Sequence, residues 1–201
     1  MQVGEASVRI FVDFWNFQLS LNEAAGLGYR LDWSKLSSWL TEQAATVTGQ
    51  PLRCDGTNVY VSCDLRGDKD RKLQGWATNV LDRFPGVKVI VKERRAKRPP
   101  SCPQCHQTVE ICPHCGGSMV GTTEKGIDTA IVTDLLTLAW EGGWQVAVLV
   151  SADRDFIPAV EMLANKGYRV INAHFPPKGM DLARACWASI DLRTCLQELS
   201  R

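Results

Sequence analysis

Two hydrophobic rhythms alternate along the chain. Short apolar runs rich in β-branched residues recur as VRIFVDF (Val8–Phe14), NVYVSCD (Asn58–Asp64), PGVKVIVKE (Pro85–Glu93), WQVAVLV (Trp144–Val150) and YRVINAHF (Tyr168–Phe175). Runs of this length and composition read as buried strands, the third entered through a turn. Between them lie stretches with helical spacing. A helix is expected from about Trp15 to Ala25. Another starts at a cap, Asp32, with Trp33, Leu36, Trp39 and Leu40 on one face. DKDRKLQGWATNVLDRF (Asp68–Phe84) places Leu73, Trp76, Val80 and Phe84 on one face. A further helix runs from about Ile127 until Gly142 and Gly143 stop it, and DFIPAVEMLANKG (Asp155–Gly167) is another. The tail from Met180 reads as helical with a break near Ala188–Ser189, and no internal repeat is expected. Strands alternating with helices require crossover connections. The expected fold is α/β, a doubly wound parallel sheet of about five strands with helices on both faces.

A chain of 201 residues with 45% apolar content can bury a sizeable core. No apolar run approaches the roughly 20 residues that span a bilayer. The start, MQVGEASVRIFVDFW, lacks the pattern of a signal peptide, so a soluble cytoplasmic protein is the expectation.

Cysteine spacing adds a second unit. Four of the eight cysteines form C-x2-C-x6-C-x2-C through Cys102, Cys105, Cys112 and Cys115. Each C-x2-C can turn two thiolates toward one ion, and two such knuckles complete a tetrahedral Zn²⁺ site. Pro103 and Gly116 suit the tight turns, and His106 and His114 are alternative ligands. Cys54, Cys63, Cys186 and Cys195 are scattered and read as small core residues. The expected organisation is a discontinuous domain, residues 1–98 and 120–201, interrupted by a zinc ribbon at 99–119.

Charge then points to a partner. The net charge is only +1, but KVIVKERRAKR (Lys88–Arg98) holds six basic residues and one acid, a local +5. Such a strip is either a polyanion contact or a solvated linker. Read as a contact, Lys88, Lys92, Arg94, Arg95, Lys97 and Arg98 would grip a nucleic-acid backbone. Lys125 could meet a phosphate or stay solvated.

Acids complete the chemistry. In doubly wound sheets, ligands bind beyond the carboxyl ends of the strands, near the switch point. Asp13 ends the first strand, Asp153 and Asp155 follow the fourth, and Asp128 opens the helix leading into it. If those strands are neighbours, the four acids converge. Pro158 lacks an N–H and belongs in a first helical turn, so the helix starts no earlier than about Asp155, with Asp155 as N-cap and Asp153 in the loop. Each acid alone could simply cap a helix. Gathered carboxylates repel unless a hard cation or protons neutralise them, and Mg²⁺ or Mn²⁺ suits all-oxygen ligands. Asp134 lies about 120° around the helix from Asp128 and reads as structural.

VDFWN, EKGIDTAIVTDLL and LVSADRDFIPAVEMLANKGYRVI together resemble the NYN-domain family of the PIN-like nuclease superfamily. SADRDF is similar to its S-G-D-S-D-F element, KGID to K-G-x-D, and Asp13 with Asn16 to D-x-x-N. Two departures are Phe14–Trp15, where the family often has Gly after the first Asp, and Ala152 in place of Gly. Trp15 either packs in the core or stacks on a base. The resemblance implies a ribonuclease-type pocket, with Asp13, Asp128, Asp153 and Asp155 as metal-binding acids and Asn16 orienting substrate or water. The expected activity is hydrolysis of single-stranded RNA with Mg²⁺ or Mn²⁺, and Zn²⁺ as a structural ion. The alternative is a non-catalytic RNA-binding or regulatory module whose ribbon docks nucleic acid or protein; a homodimer is open. A haloacid-dehalogenase-like phosphatase is disfavoured, because its second acid should stand where Trp15 does.

Overall fold

A computed structural model describes residues 5–201. The chain runs β1 (Ala6–Asp13), α1 (Phe14–Ala25), α2 (Trp33–Thr48), β2 (Leu52–Cys63), α3 (Asp68–Asn79) and β3 (Val87–Glu93). An excursion follows, framed by β4 (Arg95–Lys97) and β5 (Gly121–Thr123). The chain then returns through α4 (Ile127–Trp140), β6 (Val146–Val150), α5 (Ile157–Asn165), β7 (Arg169–His174), α6 (Met180–Ala185), β8 (Ala188–Asp191) and α7 (Cys195–Glu198).

The main sheet has the order β3-β2-β1-β6-β7-β8, and every pairing in it is parallel. It has six strands where five were expected. The missed strand is β8, four residues inside the tail read as helical; so short a strand leaves almost no period to detect. β2 also begins six residues earlier than its apolar run, because Leu52–Thr57 pairs along β1. The chain winds outward from β1 to β3, then returns to β6 on the other side of β1. The switch point therefore lies between β1 and β6.

Period-two alternation divides the core. Val8, Ile10 and Val12 of β1, with Val146, Val148 and Val150 of β6, face α1 and α2 through Phe17, Leu21, Leu36 and Leu40. Phe11 and Leu149 face the other way, against Ile131 and Leu135 of α4 and Val160 and Leu163 of α5. Both central strands are thus buried on both faces, which is why their sequences are nearly continuous apolar runs. Two readings of buried positions need correction. Val80 is exposed, because α3 ends at Asn79. Cys54 is exposed too, lying in the early part of β2 that projects beyond the core.

Residues 101–120 are two copies of one ten-residue turn, contrary to the expected absence of a repeat. The Cys102 N–H donates to the Gln107 carbonyl at 2.9 Å, and the Cys112 N–H to that of Gly117 at 2.8 Å. His106 and Gly116 each donate back to the first cysteine of their turn at 2.9 Å. Bridges Ser101↔Thr108 and Ile111↔Ser118 are offset by the same ten residues. Both turns need left-handed backbone at the residue after the second cysteine: φ is 58° at His106 and 69° at Gly116. The sequence carries the repeat only as a doubled Cys-Pro-x-Cys, since the residues that follow each second cysteine differ.

Among the described residues, no helix is long and apolar enough to cross a membrane.

Candidate active site

Asp13 is the last residue of β1, and Val12 pairs with Val150 of β6, which sets Asp13 beside Ser151. Its carboxylate accepts from the Asn16 N–H at 3.4 Å, as the cap of α1, and from Ser151 Oγ at 3.1 Å. Ser151 Oγ in turn accepts from the Asp153 N–H at 3.1 Å. Asn16 Oδ1 accepts the Ala152 N–H at 2.8 Å. Asn16 therefore fixes the loop after β6, a role its motif position did not specify. Ser151 ties the first acid to the third; it opens the SADRDF element, but its motif position did not specify this bond.

Asp153 caps a single 3₁₀ turn, Arg154–Phe156, by accepting the Asp155 N–H at 2.9 Å. This corrects the expectation that Asp155 is the cap. α5 begins only at Ile157, with Pro158 in its first turn as required. The constraint from Pro158 was right, but the tighter turn inserts itself before the α-helix. Asp128 lies in the first turn of α4.

Asp128, Asp153 and Asp155 each bring a carboxylate oxygen within 4.8 Å of the others'. They are the one such group of three or more acidic, imidazole or thiol side chains among the described residues. Asp13 stands outside that group, behind Ser151. Burial, opposed by its two hydrogen bonds and reinforced by Glu124 and Asp128, pushes its carboxyl up to about 7. Asp128 is also raised, first by burial, then by Asp153, Glu124 and Asp155. Glu124 is thus a further acid at the rim; it opens the EKGID stretch four residues before Asp128, but its place there specified no role. Asp134 points elsewhere and accepts the Tyr60 hydroxyl at 2.7 Å.

Trp15 is half-buried. Its indole N–H donates to the Ser62 carbonyl at 2.7 Å, and the Arg94 guanidinium lies over its ring, 5.1 Å from the centroid. A groove of about 690 Å³ opens beside it, lined by Arg66, Lys92, Glu93, Arg94, Arg95 and Lys125 among others. Four predicted basic residues therefore share one wall system with Arg66, which was not foreseen. Lys88 sits at the amino end of β3, roughly 13 Å along the strand from Lys92 at about 3.3 Å per residue. Lys97 and Arg98 lie outside the groove lining, out on the arm.

In the arm, the backbone N–H groups of Cys105 and Gln104, then the Cys105 thiol, hold Cys102 below the usual thiol range. Cys115, then His114, act likewise on Cys112. Each knuckle unites its two thiols, but the four do not fall within one 4.8 Å group.

The profile of the NYN domain family matches residues 7–193. A crystal structure of a protein of unknown function from Vibrio parahaemolyticus superposes with a TM-score of 0.57 at 19% identity, covering 96% of this chain and 98% of that one. It supports the fold. No curated protein matches significantly.

Proposed function

The chain belongs to the NYN-domain family, and from that premise we propose that it is a metal-dependent nuclease hydrolysing phosphodiester bonds of single-stranded RNA. The observation that carries the reading is the approach of Asp128, Asp153 and Asp155 to within 4.8 Å at the sheet's switch point. Their all-oxygen donor set and mutual repulsion fit Mg²⁺ or Mn²⁺. Bound there, the ion would lower the pKa of water and neutralise charge on the phosphate. Asp13, with its carboxyl raised to about 7, can take a proton near neutral pH. Ser151 and Asn16 hold that carboxylate and the Asp153 loop in fixed relation. Lys92, Arg94, Arg95 and Lys125 would receive the flanking phosphates.

The arm is read as an insertion at residues 99–119 whose two knuckles would draw together on one structural Zn²⁺ through Cys102, Cys105, Cys112 and Cys115. N–H groups aimed at Cys102 and Cys112 favour their thiolates, as a metal knuckle requires. Reduced thiols and RNA coexist in the cytoplasm, the compartment this reading assumes.

The test is cleavage of a labelled single-stranded RNA with Mn²⁺. The wild type should cut, chelation should stop it, and Asp128→Asn or Asp153→Asn should lower the rate at least a hundredfold, taken as about 3 kcal/mol of lost transition-state stabilisation. RNA binding without cutting, unchanged by either substitution, would favour the non-catalytic alternative.

A further inference from the structure

Arg94 is held on three sides at the mouth of the basic groove. Its Nε donates to Ser62 Oγ at 3.0 Å, its plane lies over Trp15, and its terminal nitrogen faces Glu124 Oε2 at 3.7 Å. The Arg94 backbone N–H is anchored on the Cys63 carbonyl at 2.8 Å. Glu124 is itself fixed by a hydrogen bond from the Ser62 hydroxyl. The guanidinium is therefore pre-oriented, and the carboxylate stands in the position an anion would take.

The neighbouring groove arginine gives a comparison. Arg66 makes a two-pronged contact with Asp64 at 2.9 and 3.1 Å through its Nε and one terminal nitrogen, so one edge of its guanidinium is engaged. The Arg94–Glu124 contact is longer, at 3.7 Å, and single. Lys92, Arg95 and Lys125 make no ion pair among the described residues and already present net positive charge to the groove. A long, partly exposed pair is weak. A phosphate oxygen can meet a guanidinium at shorter range and bidentately. Glu124 also sits close enough to Asp13 and Asp128 to raise both. The groove and the acid cluster are adjoined through Lys125, Gly126 and Asp128, so a strand crossing one enters the other.

We propose that Arg94 is a phosphate-binding residue for the RNA backbone and that Glu124 occupies it in the free protein, to be displaced when substrate enters. The proposal rests on the nuclease reading for the identity of the polyanion. It goes beyond that reading in making Glu124 a competitor of substrate rather than a metal ligand, with Arg94 the point of competition. Trp15 and Ser62 keep the guanidinium in place during the exchange, so that only the carboxylate has to move.

The experiment is a binding titration with no Mg²⁺ or Mn²⁺ added, so that cleavage does not intervene, with a fluorescein-labelled oligouridylate over a salt series. Glu124→Gln should tighten binding roughly fivefold, the scale of removing one exposed ion pair. Arg94→Ala should weaken binding and reduce the slope of log K against log salt by about 0.7, one single-strand phosphate contact. In the double variant the gain from Glu124→Gln should vanish. Thermal melts of each variant, with Arg94→Gln as a milder replacement, separate a folding defect from a binding one. No tightening in Glu124→Gln, or equal tightening with Arg94 absent, overturns the competition. In either case a wild type that still binds and cuts RNA leaves the nuclease reading standing. Failure of every form to bind defeats both.

Discussion

Asp13 carries two duties that pull against each other. It caps α1 and is bonded to Ser151, yet its burial raises the carboxyl from 3.8 to about 7. The sign of the linkage follows. Below pH 3.8 the group is protonated folded or unfolded, and its contribution is fully present. As pH rises toward about 7 the unfolded chain ionises while the folded one still holds the proton, so stability falls. The full shift is worth on the order of 4 kcal/mol. Asp13→Asn lacks this dependence. With no Mg²⁺ or Mn²⁺ added, its melting temperature should overtake the wild type's progressively from about pH 4 to about pH 7, read by thermal melts at stepped pH. A constant difference would show that Asp13 does not titrate in that window. The two acids of α4 make a second contrast. Asp128→Asn should weaken Mn²⁺ binding at least tenfold, about 1.4 kcal/mol. Asp134→Asn, which alters the bond from Tyr60, should leave the metal affinity intact and cost about 1 kcal/mol in denaturant unfolding. Legibility at this scale was uneven. Asp13, Asn16, Asp128, Asp153 and Asp155 stood in short motifs at strand ends, so they were visible. Ser151 and Glu124 stand in the same motifs, but their partners Asp13, Ser62 and Arg94 are distant in sequence, and Arg66 stands in no motif at all.

Among the elements, the loop after β6 depends on a glycine in another segment. Gly179 precedes α6 with φ +80°, and a Cβ there would lie 3.0 Å from both Ala152 Cα and His174 Cβ. The loop bearing Asp153 is therefore seated against bare backbone. Gly49, at the end of α2 with φ +67°, has nothing within 4 Å of such a Cβ. Gly49→Ala should cost about 1 kcal/mol from left-handed strain alone. Gly179→Ala adds a clash with backbone and should cost about 2–4 kcal/mol. It should also weaken Mn²⁺ binding, since the Asp153 loop must shift; chemical denaturation and metal titration of both variants check this. Equal losses would mean that the packing against Ala152 relaxes freely. Strands and helices with long periods stand close to where the sequence places them, though α3 ends at Asn79 and not at Phe84, and β1 and β6 are neighbours as the acids required. The failures were short elements: β8, and the 3₁₀ turn that moved the cap from Asp155 to Asp153. Three or four residues are settled by what they pair with, and a sequence window of that size holds no period.

For the whole molecule, the six-stranded sheet and the arm answer to different forces. The sheet rests on two apolar layers. The arm has exposed Ile111, Met119 and Val120 and no buried residue of its own between 98 and 121. Its order should therefore depend on bound metal. The as-purified protein should carry one Zn²⁺ per chain by elemental analysis. Chelation should increase amide exchange over residues 101–120 while leaving β1 and β6 protected. Loss of protection across the sheet would make the arm part of the core fold.

The antiparallel pairing of β4 with β5 joins Lys97 directly to Gly121. Entry and exit of the excursion are therefore stitched at one point on the rim, and the main sheet gains nothing from what lies between. In evolutionary terms this is a socket: the twin-knuckle unit can be exchanged for another module, or for a two-residue Asn-Gly turn, without re-registering a strand of the main sheet. The tip can then change while the acids at the switch point remain where they are.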